Sequence, residues 1–320
     1  MATAVGIDAA VDALRRGGLV AFPTETVYGL GCDATNDQAL ARLYAVKGRP
    51  VEHPVIVHVP GADALDDWAV DVPPEARILA GACWPGPLTL VLRRATRVPD
   101  AVTGGRDTVG LRVPDQPVAA ALLHAFDGGI AAPSANRFGR VSPTTADDVR
   151  ADLDGEVDVV LDGGACTVGV ESTIVDCTTV PPAILRLGGI PRALVEELIG
   201  SSVALRTSGE TASPGTMAAH YAPDARVIVV DAGDVAARAT GFLAGGDRVG
   251  LLSVQPVPRD LPEGLVVLDS PVDADDYARM LYSQLRDADR RGLDVVLAVA
   301  PTTEGIGAAV LDRLTRASAS

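Results

Sequence analysis

The stretch from Ala21 to Val59 constrains the fold of this chain more than any other part. It reads A-F-P-T-E-T-V-Y-G-L-G, then a short helical pattern, then K-G-R-P-V-E-H-P-V-I-V-H-V. A strand is predicted over Leu19–Phe22 and ends at Pro23, because proline cannot donate to a strand ladder. A second, almost wholly apolar strand is predicted over Val55–Val59. Strand, helix and strand in this order predict an α/β fold.

The segment after the first strand carries the hydroxyls and the carboxylate of Thr24, Glu25 and Thr26. We expect it to be a loop that Gly29 and Gly31 leave flexible. Thr24 can hold a ligand or simply tie a turn, and Glu25 can order its own loop instead of contacting a substrate.

Two cations follow the helical pattern. Lys47 and Arg49 are two residues apart in a turn that contains Gly48 and Pro50, so both side chains can point at one anion. This predicts a site for a phosphate-bearing ligand. The alternative is that both are solvated surface charges after a helix C-terminus, where cations are common.

Composition limits the partners. The chain has 320 residues, 48% hydrophobic and 3% aromatic, with a formal net charge of −15. A broad nucleic-acid-binding face needs clustered Lys and Arg, so we expect none here. A small cationic pocket within an acidic protein remains compatible with this charge.

Neither the cysteines nor the N-terminus indicates an extracellular or membrane protein. The four cysteines show no C-x-x-C pair and no zinc spacing, so we expect buried free thiols; they are Cys32, Cys83, Cys166 and Cys177. No basic and apolar leader and no membrane-length apolar run is visible. We expect a cytoplasmic protein without a membrane partner.

The pattern divides the chain into two domains. We predict a first α/β domain over residues 1–200, a linker rich in Ser, Thr, Gly and Pro over 201–225, and a second domain over 226–320. Four strands alternate with helices in the second domain, which predicts a smaller, Rossmann-like parallel sheet; they are Val227–Val230, Val249–Ser253, Val266–Leu268 and Val295–Val299.

Two further features of the first domain point to a ligand. Arg112 lies in an apolar strand predicted over Thr108–Val113, where a cation needs an anionic partner or a route to solvent. The tetrapeptide P-S-A-N at Pro133–Asn136 carries only small side chains, so a ligand can approach its backbone closely.

These motifs occur together with W-P-G-P-L-T and G-V-E-S-T-I-V-D, in one order. With them the chain resembles the threonylcarbamoyl-AMP synthases, in the two-domain form of that family. The resemblance implies a YrdC-like twisted mixed sheet with helices, followed by the Rossmann-like domain. It also implies an enzyme, a nucleotidyltransferase that joins L-threonine, bicarbonate and ATP into threonylcarbamoyl-AMP and pyrophosphate. The product would pass to threonylcarbamoyl transferase machinery that modifies the tRNA adenosine next to the anticodon.

The resemblance also implies roles for individual residues. It assigns threonine binding to Thr24, His58, Arg112, Ala132 and Ser172. It assigns ATP to Lys47, Arg49, Thr108, Ser134, Asn136, Ser142, Arg186 and Tyr221, with Lys47 and Arg49 also as the catalytic pair. Tyr221 belongs to H-Y-A-P at the end of the linker, which we expect to fold back as a lid. The alternative is a passive spacer whose Tyr221 packs only against the C-terminal domain. Mg²⁺ is expected with ATP, and its protein ligands are unknown.

Plainer readings exist for several of these residues. His58 can be a satisfied core histidine, Ser172 can tie a turn, and Asp162 is expected to be a turn residue. His53 and His124 are expected at the surface. Two other functions are compatible with the pattern: a carbamoyl-adenylate-forming enzyme of the YrdC class, and a non-enzymatic RNA-binding module.

Overall fold

The structure is a computed structural model that describes residues 4–206, 221–257 and 259–319. The described chain divides into two compact units. The first comprises residues 4–138, 142–167 and 171–206, and the second comprises 139–141, 168–170, 221–257 and 259–319. Most of the predicted linker, including His220, lies outside the described residues.

The first unit is built on one mixed sheet, as predicted. Its strands are β1 (Val20–Phe22), β2 (Gly29–Asp33), β3 (Ile56–His58), β4 (Ala69–Val70), β5 (Leu88–Arg94), β6 (Thr108–Arg112), β7 (Ile130–Ala131), β8 (Val159–Val160), β9 (Thr173–Asp176), β10 (Ala183–Arg186) and β11 (Ala204–Leu205). Their order is β11-β10-β9-β5-β6-β3-β7-β2-β1-β8, with β4 paired to β5. The pair β3–β6 is parallel, whereas β5–β6 and β3–β7 are antiparallel.

Helices flank this sheet. They are α1 (Ala4–Arg15), α2 (Asp37–Lys47), α3 (Leu65–Trp68), α4 (Pro74–Cys83), α5 (Asp100–Thr103), α6 (Pro117–Phe126), α7 (Ala146–Leu153) and α8 (Arg192–Ile199). Helix α2 begins at Asn36, whose side chain accepts from two backbone amides, and ends at Gly48 with a left-handed φ of 63°. This end fixes the direction in which the chain continues to Arg49.

The prediction of a flexible loop at Gly29 and Gly31 is wrong. These residues belong to β2, which pairs with β1 on one side and β7 on the other. A Cβ on Gly31 would lie 2.7 Å from Cγ2 of Ile130 and 2.8 Å from Cε1 of Phe22. Glycine is used here because neighbouring side chains fill the space, so the strand is held firmly.

The predicted linker also contributes to the sheet. Ala204 and Leu205 form the edge strand β11 and pair in parallel with Ala183 and Ile184 of β10. The chain therefore stays part of the first unit through these residues.

The second unit contains the predicted parallel sheet. Its elements are β12 (Arg226–Val229), α9 (Val235–Ala244), β13 (Val249–Leu252), β14 (Val266–Val267), α10 (Ala274–Arg290), β15 (Val295–Ala298) and α11 (Gly307–Ser318). The strand order is β12-β15-β13-β14, and every pair is parallel. Helix α9 packs on one apolar cluster of this sheet through Val235 and Ala239.

The described residues also bear on the membrane and cysteine predictions. No helix among them is both long and apolar enough to span a membrane. All four cysteines are buried free thiols, as predicted.

Candidate active site

The polar candidates on β3 and β6 share one face of the sheet. Backbone alternation puts Thr108, Gly110 and Arg112 on the same face of β6. His58 is the register partner of Arg112 on β3, so it shares that face. The intervening Val109 and Leu111 of β6 belong to the large apolar core. This part of the sheet therefore has one apolar face and one polar face.

Helices cover only part of the polar face. Leu14 of α1 and Leu122 of α6 pack with Ile130 of β7 in one apolar cluster. On β3 and β9 the apolar residues of this face form only a small cluster around Ile56 and Ile174. The polar side chains lie in this remaining area.

Arg112 finds its anionic partner in Glu25. Its Nη2 lies 2.7 Å from Oε1 of Glu25, and each side chain is 5% exposed. The same nitrogen donates to Oγ1 of Thr26 at 2.8 Å, and Nε donates to the Gly86 carbonyl at 3.4 Å. The other Glu25 oxygen accepts from the Asp115 amide. Glu25 thus orders more than its own loop, because it neutralises Arg112.

One edge of the Arg112 guanidinium remains uncommitted. All its contacts within the described chain use Nε and Nη2. The two protons of Nη1 have no acceptor there. A guanidinium edge of this kind suits an oxygen of a carboxylate.

His58 offers a second uncommitted atom. Its ring is buried, and Nδ1 has no hydrogen-bond partner among the described residues. The pKa of His58 is lowered to about 3, chiefly by burial and secondly by the nearby Arg112, while the Ile130 backbone acts in the opposite direction. The imidazole is therefore neutral near pH 7. The reading of His58 as a satisfied core residue is wrong for Nδ1.

Thr24 is committed to its own turn. Its hydroxyl donates to the Val27 carbonyl at 2.6 Å and accepts from the amides of Thr26 and Val27. A hydroxyl has one proton, so Thr24 has none left to donate. It lies 2.8 Å from Oγ1 of Thr26, the residue that contacts Arg112.

Ser172 contacts another candidate residue, Arg186, and a second buried hydroxyl, that of Thr89. Nε and Nη2 of Arg186 donate to its carbonyl at 3.1 and 2.9 Å, and Nη2 also reaches its hydroxyl at 3.0 Å. The same hydroxyl lies 2.8 Å from Oγ1 of Thr89. Ala132, the remaining threonine candidate, is buried and donates from its amide to the Ile56 carbonyl.

Lys47 holds the P-S-A-N segment. Its Nζ donates to the carbonyls of Ser134 at 2.6 Å and Asn136 at 2.5 Å, and the side chain is 2% exposed. Burial and then Arg49 lower the pKa of Lys47 well below its usual range. Two of the three protons of the ammonium group are committed, which leaves one for a ligand.

Arg49 is held by the segment before β3. It donates to the carbonyls of His53 and Pro54, and its guanidinium lies 5.7 Å from the centre of the Phe138 ring. Arg49 and Lys47 are both buried, so the reading of them as solvated surface charges is wrong. His53 is half-buried with its ring edge-to-face with Phe138, contrary to the surface prediction.

The other ATP candidates lie around these cations in different environments. Ser134 and Thr108 are half-buried, and no acceptor for either hydroxyl is found in the described chain. Asn136 is buried and donates to the Arg137 carbonyl. Ser142 donates its hydroxyl to Oε1 of Glu171 at 2.8 Å.

Tyr221 packs within the second unit. Its ring is stacked on Tyr282 with centres 5.6 Å apart, and the guanidinium of Arg313 lies 5.2 Å from its centre. The residue is 1% exposed.

Sequence reasoning gave no role to three residues that contact the candidates. Thr26 binds Arg112, Glu171 accepts from Ser142, and Thr89 pairs with Ser172. Each is a polar residue within a quoted motif, which is the only signal the sequence offers for it. Asp162, by contrast, is the expected turn residue, since its Oδ1 accepts from the Gly164 amide.

Comparison with known proteins matches both units. A family described as "Telomere recombination" (Sua5_yciO_yrdC) matches residues 12–188. A family described as "Threonylcarbamoyl-AMP synthase, C-terminal domain" matches residues 190–319. The two family matches follow one another along nearly the whole chain.

Curated and solved relatives are similar over the same length. The threonylcarbamoyl-AMP synthase of Pyrococcus abyssi is 40% identical over 95% of this chain and 92% of its own. The threonylcarbamoyl-AMP synthase of Bacillus subtilis is 37% identical over 95% of this chain and 90% of its own. A crystal structure of Pyrococcus abyssi Sua5 complexed with L-threonine superposes with a TM-score of 0.91, covering 98% of this chain and 94% of its own at 40% identity.

Proposed function

The chain belongs to the threonylcarbamoyl-AMP synthase family, and from that premise we propose that it joins L-threonine, bicarbonate and ATP into threonylcarbamoyl-AMP and pyrophosphate. The observation that carries the proposal is the uncommitted Nη1 edge of Arg112 beside the uncommitted Nδ1 of His58. Together they provide a donor edge for a carboxylate and a neutral nitrogen for the amine or hydroxyl of an amino acid.

Threonine is held by charge and by shape. Its carboxylate pairs with Nη1 of Arg112, while Glu25 keeps the opposite side of that guanidinium in place. A neutral His58 adds no second positive charge next to the amine, so the amine can lose its proton and act as a nucleophile. The backbone near Ala132 and the hydroxyl of Ser172 complete the proposed subsite.

The reaction then proceeds without a covalent enzyme intermediate. The amine attacks carbon dioxide formed from bicarbonate, an N–C bond forms, and a proton leaves to give the carbamate. A carbamate oxygen attacks the α-phosphorus of ATP, and the bond to the pyrophosphate oxygen breaks. Overall, threonine, bicarbonate and ATP give threonylcarbamoyl-AMP, pyrophosphate and water. Positioning and charge neutralisation provide the catalysis.

Lys47 and Arg49 act on the triphosphate. In this proposal the remaining proton of Lys47 and the guanidinium of Arg49 neutralise charge that develops on the departing pyrophosphate. Lys47 also fixes the P-S-A-N backbone through two carbonyls. Among the described residues no group of three carboxylate, His or Cys side chains could hold a metal. Mg²⁺ therefore fits best as an ion carried by the phosphates, where it would share the neutralisation.

The product is proposed to pass to a threonylcarbamoyl transferase that acts on tRNA. An adenylate is an activated acyl donor, so such a partner is the class of enzyme its chemistry requires. The assignment of Tyr221 to ATP rests on the resemblance.

The test is product analysis with the full chain. Pyrophosphate release and threonylcarbamoyl-AMP, detected by mass, are expected only when ATP, L-threonine and bicarbonate are all present. Pyrophosphate release with carbamoyl phosphate, and none with threonine, would overturn the proposal and indicate the carbamoyl-adenylate class.

A further inference from the structure

Thr89 lies beside Arg112 on the polar face of the sheet. In the antiparallel ladder between β5 and β6, Val91 is the partner of Gly110. Thr89 lies two residues before Val91 on β5, and Arg112 lies two residues after Gly110 on β6. The two therefore stand opposite each other, and alternation puts both side chains on the same face. Thr89 is fully buried and is the last residue of W-P-G-P-L-T, a motif to which no role has been given so far.

The hydroxyls of Thr89 and Ser172 together have one proton more than their contacts use. Their oxygens lie 2.8 Å apart, and either can be the donor. The remaining contact of this pair is the bond that Nη2 of Arg186 donates to Ser172. One O–H donates within the pair, and the other has no acceptor anywhere in the described chain. A buried donor without a partner costs about 1–3 kcal/mol, which a bound anion would recover.

We propose that Thr89 is a threonine-binding residue, which together with Ser172 donates a hydrogen bond to the substrate carboxylate held by Arg112. This rests on the proposed function and extends it to a residue of the substrate's carboxylate pocket. The acceptor is the carboxylate because Thr89 stands opposite the guanidinium that binds it. If Thr89 donates to Ser172, then Ser172 donates to the carboxylate, and in the reverse case Thr89 does so directly.

The Thr89–Ser172 pair also connects the proposed threonine-binding residues with Arg186, a proposed ATP-binding residue. Ser172 accepts from Arg186 through both its hydroxyl and its carbonyl. A change at Thr89 could therefore act on the carboxylate pocket or, through Ser172, on Arg186. The first effect changes the use of threonine, and the second changes the use of ATP, so the two are separable by experiment.

The test compares Thr89→Val, which keeps the shape and removes the hydroxyl, with Thr89→Ser, which keeps the hydroxyl. We expect Thr89→Val to raise the KM for L-threonine about tenfold and to leave the KM for ATP within about twofold, since hydrogen bonds to charged groups contribute about 1.5–3 kcal/mol. Thr89→Ser should stay close to the wild type. The preference for L-threonine over L-threoninamide in a thermal-shift binding assay should fall by a similar factor in Thr89→Val.

Thr173→Val is the matched control. Thr173 is a buried threonine on the adjacent strand whose hydroxyl donates to the Ile190 carbonyl at 2.6 Å. Its loss should cost stability without changing the KM for L-threonine. If Thr89→Val does not fold, Thr89→Ala takes its place in the same measurements.

Three results would overturn the inference. The first is an unchanged KM for L-threonine in Thr89→Val, and the second is an equal KM for L-threonine in Thr89→Val and Thr89→Ser. The third is a rise in the KM for ATP in Thr89→Val as large as the rise in its KM for L-threonine. The binding assay keeps these separate from the proposed function. A wild type that binds L-threonine but forms no adenylate contradicts the proposed function alone.

Discussion

Nη2 of Arg112 lies 2.7 Å from Oε1 of Glu25, in a pair of which only 5% of each side chain is exposed. The cation proposed to bind the substrate is thus already neutralised by the protein. The pair keeps a buried charge tolerable when no substrate is bound, and leaves a different guanidinium edge for the ligand. In the proposed binding mode, the amino acid is therefore a second anion on one arginine.

The first prediction follows from this pair. Glu25→Gln should lower the free energy of unfolding by about 3 kcal/mol, because it leaves a buried cation uncompensated. L-Threonine should then raise the melting temperature more in the variant than in the wild type, because its carboxylate replaces the lost charge. Thermal unfolding with and without L-threonine measures both effects. Glu263→Gln, at an exposed position, is the control and should change stability by less than about 0.5 kcal/mol. An equal threonine effect in Glu25→Gln and wild type would contradict the prediction.

The second prediction separates the two halves of the site. Arg112→Ala should chiefly raise the KM for threonine, and Lys47→Ala should raise the KM for ATP and slow turnover. The loss of a charge-assisted contact costs about 1.5–3 kcal/mol, or roughly tenfold to hundredfold. Lys47→Ala should also destabilise the protein, because Nζ joins α2 to two carbonyls of the P-S-A-N segment. Steady-state kinetics with each substrate varied in turn provide the measurement, and an unchanged threonine dependence in Arg112→Ala would refute its assignment.

The third prediction concerns acid. The pKa of His58 is lowered from 6.5 to about 3 in the folded chain. Between these values the unfolded chain binds a proton that the folded chain does not, so stability is lost as the pH falls below about 6.5. This group alone contributes a slope of up to about 1.4 kcal/mol per pH unit. Urea unfolding from pH 7.5 to 4.5 should show a shallower decline in His58→Leu. His124→Asn, at an exposed position, should keep the full slope, and a His58→Leu slope equal to that of the wild type would count against the assignment.

The fourth prediction tests the backbone that positions Ser172. A Cβ on Gly188 would lie 2.3 Å from the Glu171 carbonyl oxygen and 2.4 Å from the Ser172 carbonyl carbon. Gly188→Ala must therefore shift the segment that carries Ser172, and should cost at least about 2 kcal/mol and raise the KM for threonine. Gly81→Ala is the matched control, since nothing lies within 4 Å of its Cβ position inside α4. That variant should gain up to about 1 kcal/mol. Chemical denaturation of both proteins checks the pair, and similar stabilities would contradict the steric argument.

Much of the fold was predicted from local patterns in the sequence. The strands of the second unit recur with helices between them, so its parallel sheet could be predicted from periodicity alone. The first strand and the turn with Lys47 and Arg49 carried equally local signals. The strand at Gly29 and Gly31 carried no such local signal, because glycine is unfavourable in isolated strands. Only the closeness of Phe22 and Ile130, more than 90 residues apart along the chain, makes glycine the residue that fits.

The sequence by itself determined which chemical groups are present and which short segments carry them. It placed a cation in the strand at Arg112 and required a partner for it, but the identity of that partner was a matter of tertiary structure. Glu25 meets Arg112, Ser134 and Asn136 meet Lys47, and Thr89 meets Ser172, each across more than 80 residues of chain. The physical reason is that a hydrogen bond acts over about 3 Å, whereas sequence patterns report only on neighbours in the chain. Which protons are committed and which remain for a ligand is therefore decided only when the sheet brings these strands together.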